Sequence, residues 1–327
     1  MPKTSLFTTE ELSGLDLPNS RGFYACGMRE DDRVANLWAV GGLYMTFVHI
    51  NQMLLQYGSM NFPFSNQTPA DFIHTVAKHF KINVFTGITS VVLSNLRKIF
   101  ELTDGKPGFK VDKIYFGGEH IYEADRIEMA KTYGVQTVLA PGYGTVDSWY
   151  LGYQCEHTAP GVFHQHDDQA YIEIFNEESK KHCAPEEIGM LYATAFPRKL
   201  TPIIRYRVGD RAKWIKDACP CGRTTPLFQL LGRGDDILRI GYDSIDYQAI
   251  QDLIVKIDGL SGVMQMQKTR EAGKDVLTIR VETQMDPSQY ASVAKQLNQM
   301  ILDDRPSFRD FISKGTIAPL NLSLIHI

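Results

Sequence analysis

The pattern that most constrains this chain is the alternation of strand-like and helix-like segments between Arg33 and Gly144. Residues 33–40 read as a buried strand, followed by a glycine turn and a helix that closes at Gly58. TPADFIHTVAKHF opens with a Thr cap and a Pro in the first turn, then places apolar residues at helical spacing. INVFTGI reads as a strand, SVVLSNLRKIFEL as a helix, and TDGKPG as the turn that ends the unit. VDKIYFGGE is a strand running into glycines, IYEADRIEMAKTYG a helix closed by Gly134, and VQTVLAPGYG a strand ending in a second glycine turn. Such alternation predicts an α/β fold: a mainly parallel sheet with helices on its faces. Ligands of such sheets lie beyond the carboxyl ends of the strands. Gly117-Gly118 and Gly142-Tyr143-Gly144 fall at ends of that kind.

From about Gln169 the period changes to two. QAYIEIF, GMLYATAF, TPIIRYRVG and RAKWIK read as short strands with turns between them, which predicts a small, more antiparallel, barrel-like region. The acidic, glycine-rich GRGDD turn is the expected boundary. Residues 1–232 are expected to form a large domain, residues 233–236 a hinge, and residues 237–327 a small α/β domain. A chain of 327 residues suits two domains. With 34 basic and 38 acidic residues the net charge is −4, which gives no bulk attraction for nucleic acid or an anionic membrane. No apolar run reaches the ~18 residues of a membrane helix. MPKTSLFTTEEL is not a signal peptide, so a cytoplasmic location is expected. Five cysteines in such a chain do not suggest a disulfide framework and direct attention to metal ligation.

Five motifs then recur in a known order. They are FGGEHIYEADR at 116–126, PGYGTVDSWYLGYQC at 141–155, PIIRYRVGD at 202–210, CPCGRT at 219–224 and LGRGDDILRIG at 231–241. Together they resemble the phenylacetate–coenzyme A ligase branch of the adenylate-forming superfamily, which also includes the coenzyme F390 synthetases. The resemblance implies a two-step reaction. A carboxylic acid attacks the α-phosphate of ATP to give an acyl-adenylate and pyrophosphate. A thiol, usually that of coenzyme A, then displaces AMP.

The resemblance also assigns residues. Asp210 matches the aspartate that accepts hydrogen bonds from both ribose hydroxyls, a role suited to an ionised carboxylate. Arg233 matches the arginine that contacts ribose and phosphate, and Asp235 the hinge aspartate. Gly117, Gly118 and Glu119 match the segment lining the adenine pocket, where glycine lets backbone lie flat on the base. Tyr143 and Gly144 match a Tyr-Gly motif whose tyrosine flanks the adenine. Asp147 stands where relatives carry an acid, usually glutamate, that helps hold Mg²⁺; aspartate keeps the charge about one methylene farther back, and a helix cap is the competing reading.

Cys219-Pro220-Cys221 with Gly222 reads as a tight metal knuckle. Cys155 closes GYQC, and His164 matches a histidine position of the resembled branch. Three thiolates and one imidazole suit tetrahedral, structural Zn²⁺, with His157 and His166 as competing fourth ligands. Cys26 and Cys183 read as ordinary residues.

The start Met1-Pro2-Lys3-Thr4 resembles the last residues of the family's Ser/Thr/Gly phosphate loop, and no lysine follows Lys314 where the family places its catalytic one. The expectation is therefore a piece of a longer ligase, inactive by itself. The closing LSLIHI, Leu322 to Ile327, is expected to be foreign, since one reading frame of a common transposon sequencing adapter encodes it. The expected partners are a small carboxylic acid, ATP and coenzyme A. Trp38, Tyr44, Phe47 and Phe85 suit an aryl acid and suit core packing equally. Two alternatives stand beside this reading: an adenylyltransferase of the coenzyme F390 synthetase type, and a nucleotide-binding protein without catalysis. Oligomeric state is not readable from the sequence.

Overall fold

The structure is a computed structural model that describes residues 4–41, 43–119, 121, 123–234, 237–241 and 243–326. The chain divides into two compact units, Met1–Asp235 and Asp236–Ile327.

The first unit opens with two helices, α1 (Thr9–Ser13) and α2 (Asp16–Ala25). A reciprocal capping box starts α1: the Glu11 N–H donates to Thr8 Oγ1 at 3.1 Å, and the Thr8 N–H donates to Glu11 Oε2 at 2.6 Å. The buried positions of α2 include Asp16, Pro18, Asn19 and Gly22 beside Phe23 and Ala25. That mixture leaves no apolar stripe in the sequence, which is why periodicity gave no sign of this helix.

Five strands follow, β1 (Arg33–Leu37), β2 (Met60–Pro63), β3 (Val84–Ile88), β4 (Lys113–Gly117) and β5 (Thr137–Leu139), with α3 (Thr46–Tyr57), α4 (Ala70–Phe80), α5 (Thr89–Leu102) and α6 (Glu123–Tyr133) between them. All pair in parallel, in the order β2-β1-β3-β4-β5. Val34, Ala35, Leu37, Val84, Phe85, Ile88 and Ile114 are fully buried, as strands covered on both faces require. α4 shows the amphipathic logic expected of it. Ile73 and Ala77 face inward, Asp71 lies in its first turn, and Lys78 and His79 lie in its last. The strand order reverses between β1 and β3, and this switch point is where ligands of open α/β sheets bind.

The second sheet is antiparallel and contains eight strands. These are β6 (Tyr143–Thr145), β7 (Trp149–Tyr153), β8 (Val162–Gln165), β9 (Ala170–Asn176), β10 (Lys181–His182), β11 (Gly189–Ala195), β12 (Ile203–Ile215) and β13 (Leu227–Arg233). Their order is β10-β9-β11-β12-β13-β8-β7-β6, and the sheet curls until β7 touches β9 and β11. Two expectations need correction. The antiparallel region begins at Tyr143, not Gln169. TPIIRYRVG and RAKWIK are not two strands around a turn but one 13-residue strand, β12. Gly209 has φ +89°, and the β12–β13 register shifts between Asp210 and Ala212. A glycine-assisted bulge thus bends the strand without ending it.

In the second unit a two-stranded ribbon, β14 (Ile237–Ile240) and β15 (Asp243–Asp246), leads into α7 (Tyr247–Ile254). A three-stranded sheet of β16 (Leu260–Glu271), β17 (Lys274–Thr283) and β18 (Asn321–His326) packs with α8 (Tyr290–Asp304) and α9 (Pro306–Ser313). Ile279, Val281, Leu297, Ile301 and Phe308 are buried in its core. β18 contains Leu322 to His326 of the closing hexapeptide and pairs in parallel with β17. Among the described residues no helix is long and apolar enough to cross a membrane.

Candidate nucleotide site and metal centre

At the carboxyl ends of the parallel strands, Trp38 spans the switch point. Its Nε1 donates to Thr86 Oγ1 of β3 at 3.0 Å, and its ring lies against Gly117 at the end of β4. A Cβ on Gly117 would stand 2.7 Å from the indole, so only glycine fits there. Gly118 follows with φ +77°, a conformation that glycine adopts without strain. Both carboxylate oxygens of Glu119 serve the start of α5. Oε2 accepts from the Ser90 N–H at 2.8 Å and Oε1 from the Ser90 hydroxyl at 3.0 Å, which complements the positive end of that helix. Any pocket lining by Glu119 therefore falls to its backbone.

Tyr143 begins β6, and its ring packs against Phe163 and Phe228 at centroid distances of 5.4 and 5.7 Å. Its hydroxyl donates to Asp210 Oδ2 at 2.6 Å. Asp210 sits at the β12 bulge directly opposite Arg233 on β13. Arg233 approaches Asp210 Oδ1 at 3.4 Å and donates to the Val208 carbonyl at 3.1 Å. Three residues singled out far apart in the sequence thus meet at one place. Gly144 must be glycine because a Cβ would fall 1.8 Å from the Trp149 carbonyl oxygen across the β6–β7 pair.

Asp147 lies in the turn between β6 and β7, so it is not a helix cap. Its side chain is buried, and its Oδ1 accepts from Ser5 Oγ at 2.6 Å. Arg198 holds the same turn by donating from Nε to the Asp147 carbonyl at 2.8 Å. Arg198 is itself buried, paired with Glu11 at 3.2 Å and placed 3.7 Å from the centre of the Phe7 ring. Burial pushes the Glu11 carboxyl upward, but the N–H groups of Thr8, Lys199 and Leu200 outweigh it and hold the group at about 2. Asp235, the expected hinge residue, lies outside the described residues.

Cys155, His164, Cys219 and Cys221 converge so that their ligand atoms all lie within 4.8 Å of one another. Cys155 Sγ and Cys219 Sγ are 3.6 Å apart, and Cys221 Sγ is 3.4 Å from His164 Nε2. A tetrahedral zinc would give sulfur–sulfur edges of about 3.8 Å and sulfur–nitrogen edges of about 3.5 Å. The four side chains therefore fit a metal ion of this kind. Burial, aided by Arg223, holds the His164 imidazole neutral, down to about 4, which keeps a lone pair for a metal. Its other nitrogen, Nδ1, lies 3.2 Å from Thr225 Oγ1, the outer contact a ligating imidazole needs. Burial pushes the Cys155 thiol up to about 12, while hydrogen bonds from Arg223 outweigh burial at Cys221 and lower it. The competing histidines take other places. His157 contributes only its backbone N–H, 3.4 Å from Cys155 Sγ, and His166 is buried with Nδ1 3.4 Å from Arg21.

Several supporting residues drew no attention in the sequence. Ser5 and Arg198 belong to no motif, Gln154 falls inside the 141–155 motif with no role assigned to it, and Gly22 looks like any helical glycine. Their importance is positional: a Cβ on Gly22 would stand 1.8 Å from the Pro141 carbonyl oxygen.

Comparison with known proteins agrees with the motif order. No protein-family model matches the chain. The chain is 28% identical over 167 residues to a phenylacetate–coenzyme A ligase of Escherichia coli, covering 51% of this chain and 38% of that protein. It is 24% identical over 157 residues to the Thermus thermophilus protein of the same name, covering 48% and 33%. In sequence the chain resembles phenylacetate–coenzyme A ligases. It spans about two fifths or less of the length of these two relatives. In fold it matches a 2-hydroxyisobutyryl-CoA ligase in complex with its acyl-AMP and CoA, with TM-score 0.77, 21% identity, and coverage of 100% of this chain and 68% of that one. It also matches the amide bond synthetase McbA of Marinactinospora thermotolerans, with TM-score 0.65, 11% identity, and coverage of 97% and 61%. The chain thus has the fold of the adenylate-forming ligases.

Proposed function

We propose that the chain carries the nucleotide-binding core of an ATP-dependent acid–thiol ligase that activates a carboxylic acid, an aryl acid by preference, as its acyl-adenylate. The observation that carries this reading is the meeting of Tyr143, Asp210 and Arg233 at 2.6 and 3.4 Å, beside the curled sheet that also holds Asp147. Asp210 has two acceptor oxygens for the ribose hydroxyls, and Arg233 adds a fixed positive charge beside them. Tyr143 offers an aromatic edge to the base while its hydroxyl orients Asp210. Gly117 and Gly118 supply flat backbone at the end of β4. In the first half-reaction an acid oxygen attacks the α-phosphorus of ATP and pyrophosphate leaves. In the second, the sulfur of coenzyme A attacks the acyl carbon and AMP leaves. A Mg²⁺ ion near Asp147 would neutralise phosphate charge when bound; the turn that holds Asp147 is fixed by Ser5 and Arg198.

The cysteine–histidine group is read as a structural zinc site. With four protein ligands no position is left for water, so its contribution is to the folding of the β7–β8 loop and the 219–221 knuckle.

Titration of the chain with AMP in a calorimeter tests the nucleotide site. Saturable binding that Asp210→Ala weakens is the expected result. No heat of binding at millimolar AMP refutes the assignment. For the gene's complete product, an acid-dependent coenzyme A thioester is the expected product, and a stable adenylylated acceptor would overturn the thiol half of the reading.

A further inference from the structure

Ala140 is the residue just before the Pro141-Gly142-Tyr143 turn, and both of its backbone polar groups go to one partner. Its N–H donates to Gln154 Oε1 at 2.8 Å, and its carbonyl accepts from the Gln154 N–H at 3.0 Å. The other end of the same carboxamide serves a different segment. Gln154 Nε2 donates to the carbonyls of Ala159 at 3.3 Å and Val162 at 3.4 Å. Ala159 lies in the loop between β7 and β8, and Val162 opens β8, the strand that carries His164. The Gln154 carbonyl in turn accepts from Cys26 Sγ at 3.2 Å. Gln154 is 1% exposed, and its carboxamide uses its oxygen and both of its N–H groups.

A buried amide in this position acts as a rigid link. Leaving any of its groups unpaired costs about 1–3 kcal/mol, so one end does not move freely from the other. Gly22 blocks the remaining direction, because its close approach to the Pro141 carbonyl leaves the turn no room toward α2. The turn that leads into Tyr143 is therefore located by the segment from Cys155 through β8, which carries two of the four cysteine–histidine ligands.

We propose that Gln154 is a positioning residue that couples the metal loop to the nucleotide turn, so that metal binding and nucleotide binding strengthen each other. The inference rests on the nucleotide and metal readings above. Thermodynamic linkage makes the coupling reciprocal: the factor by which metal tightens nucleotide equals the factor by which nucleotide tightens metal.

The test measures AMP affinity by calorimetry on the 327-residue chain, zinc-loaded and chelator-stripped, for wild type and for Gln154→Leu, with metal content and melting temperature recorded alongside. Leucine keeps most of the volume and removes the carboxamide, leaving only the backbone bonds of residue 154 in place. Stripping the wild type is expected to weaken AMP binding by about tenfold. Gln154→Leu with a full equivalent of zinc is expected to weaken AMP by a similar factor, and stripping it to add less than about twofold. Gln154→Glu keeps an acceptor for Ala140 but turns an oxygen toward the Ala159 and Val162 carbonyls, so it should release zinc faster while weakening AMP less than leucine does. A folded, zinc-loaded Gln154→Leu with wild-type AMP affinity overturns the proposal, as does an equal stripping penalty in both proteins. If Gln154→Leu does not fold, the wild type decides alone: saturating AMP must tighten zinc in equilibrium competition with a chromophoric chelator, and an unchanged zinc affinity overturns the coupling. Wild type that binds no AMP at all refutes the nucleotide reading itself, a result that needs no variant.

Discussion

Tyr143 and Asp210 stand 67 residues apart in sequence and share a 2.6 Å hydrogen bond, with the phenol donating to the carboxylate. The bond joins the first strand of the curled sheet to the bulge in β12, and Arg233 meets the same carboxylate from β13. The carboxylate is thus held in one orientation by partners of this chain alone. Asp210→Ala is expected to weaken AMP binding by about 1.5–3 kcal/mol, the range for hydrogen bonds to a charged group. Tyr143→Phe keeps the ring and loses only the orienting bond, so it should cost about 0.5–1.5 kcal/mol. Calorimetric dissociation constants check the order; a larger loss in Tyr143→Phe would contradict it.

The proposed zinc site predicts a stability effect. Purified chain grown with ample zinc should contain one tightly held equivalent by elemental analysis. The double variant Cys219→Ser/Cys221→Ser should contain none and melt lower, by about 2–4 °C for each kcal/mol lost in a unit of this size. Retention of a full equivalent, or an unchanged melting temperature, would remove the site as drawn.

Close packing between Trp38 and Gly117 offers a third test. Gly117→Ala puts a methyl 2.7 Å from the indole and should destabilise the first unit by about 1–3 kcal/mol, as overpacking does. Trp38→Leu in the Gly117→Ala background should recover part of that loss. Additive destabilisation in denaturant melts would show that the two side chains do not meet.

The buried Glu11 carboxylate, held by the N–H groups of Thr8, Lys199 and Leu200, predicts a pH dependence. Glu11 is lowered from 4.5 to about 2 in the folded protein, so its contribution is fully present above pH 4.5. It is lost as the pH falls from 4.5 through about 2, because protonation then favours the unfolded chain. Glu11→Gln leaves Arg198 buried without its charge partner and should cost about 3–5 kcal/mol at neutral pH. The gap between wild type and variant should narrow as the solution is acidified over that window. A gap that stays constant down to about pH 2 would contradict the lowered Glu11 carboxyl.

Much of this protein follows from local pattern. Apolar runs between glycine turns mark β3, β4 and β5, and the helical spacing of Ile73 and Ala77 marks α4, because strands buried on both faces and helices buried on one leave those traces in any sequence. The motif order likewise pointed to Tyr143, Asp210 and Arg233, and the C-x-C pair to a metal. Other features left no local trace. α2 buries Asp16, Asn19 and Gly22, so its inward face does not read as apolar. β12 reads as two strands because Gly209 looks like a turn, yet the bulge it permits is completed only by hydrogen bonds to β13. Resemblance singled out His164, but spacing alone does not separate three histidines within ten residues, and its nearness to the cysteines is decided where β8 and the 219–221 knuckle meet. Gln154 is the clearest case. A glutamine just after a strand has no signature of its own, and its hydrogen bonds exist only because folding brings Ala140 to its carboxamide oxygen and Ala159 and Val162 to its nitrogen. Hydrogen-bond partners are set by distance in space, and only the packed chain fixes those distances.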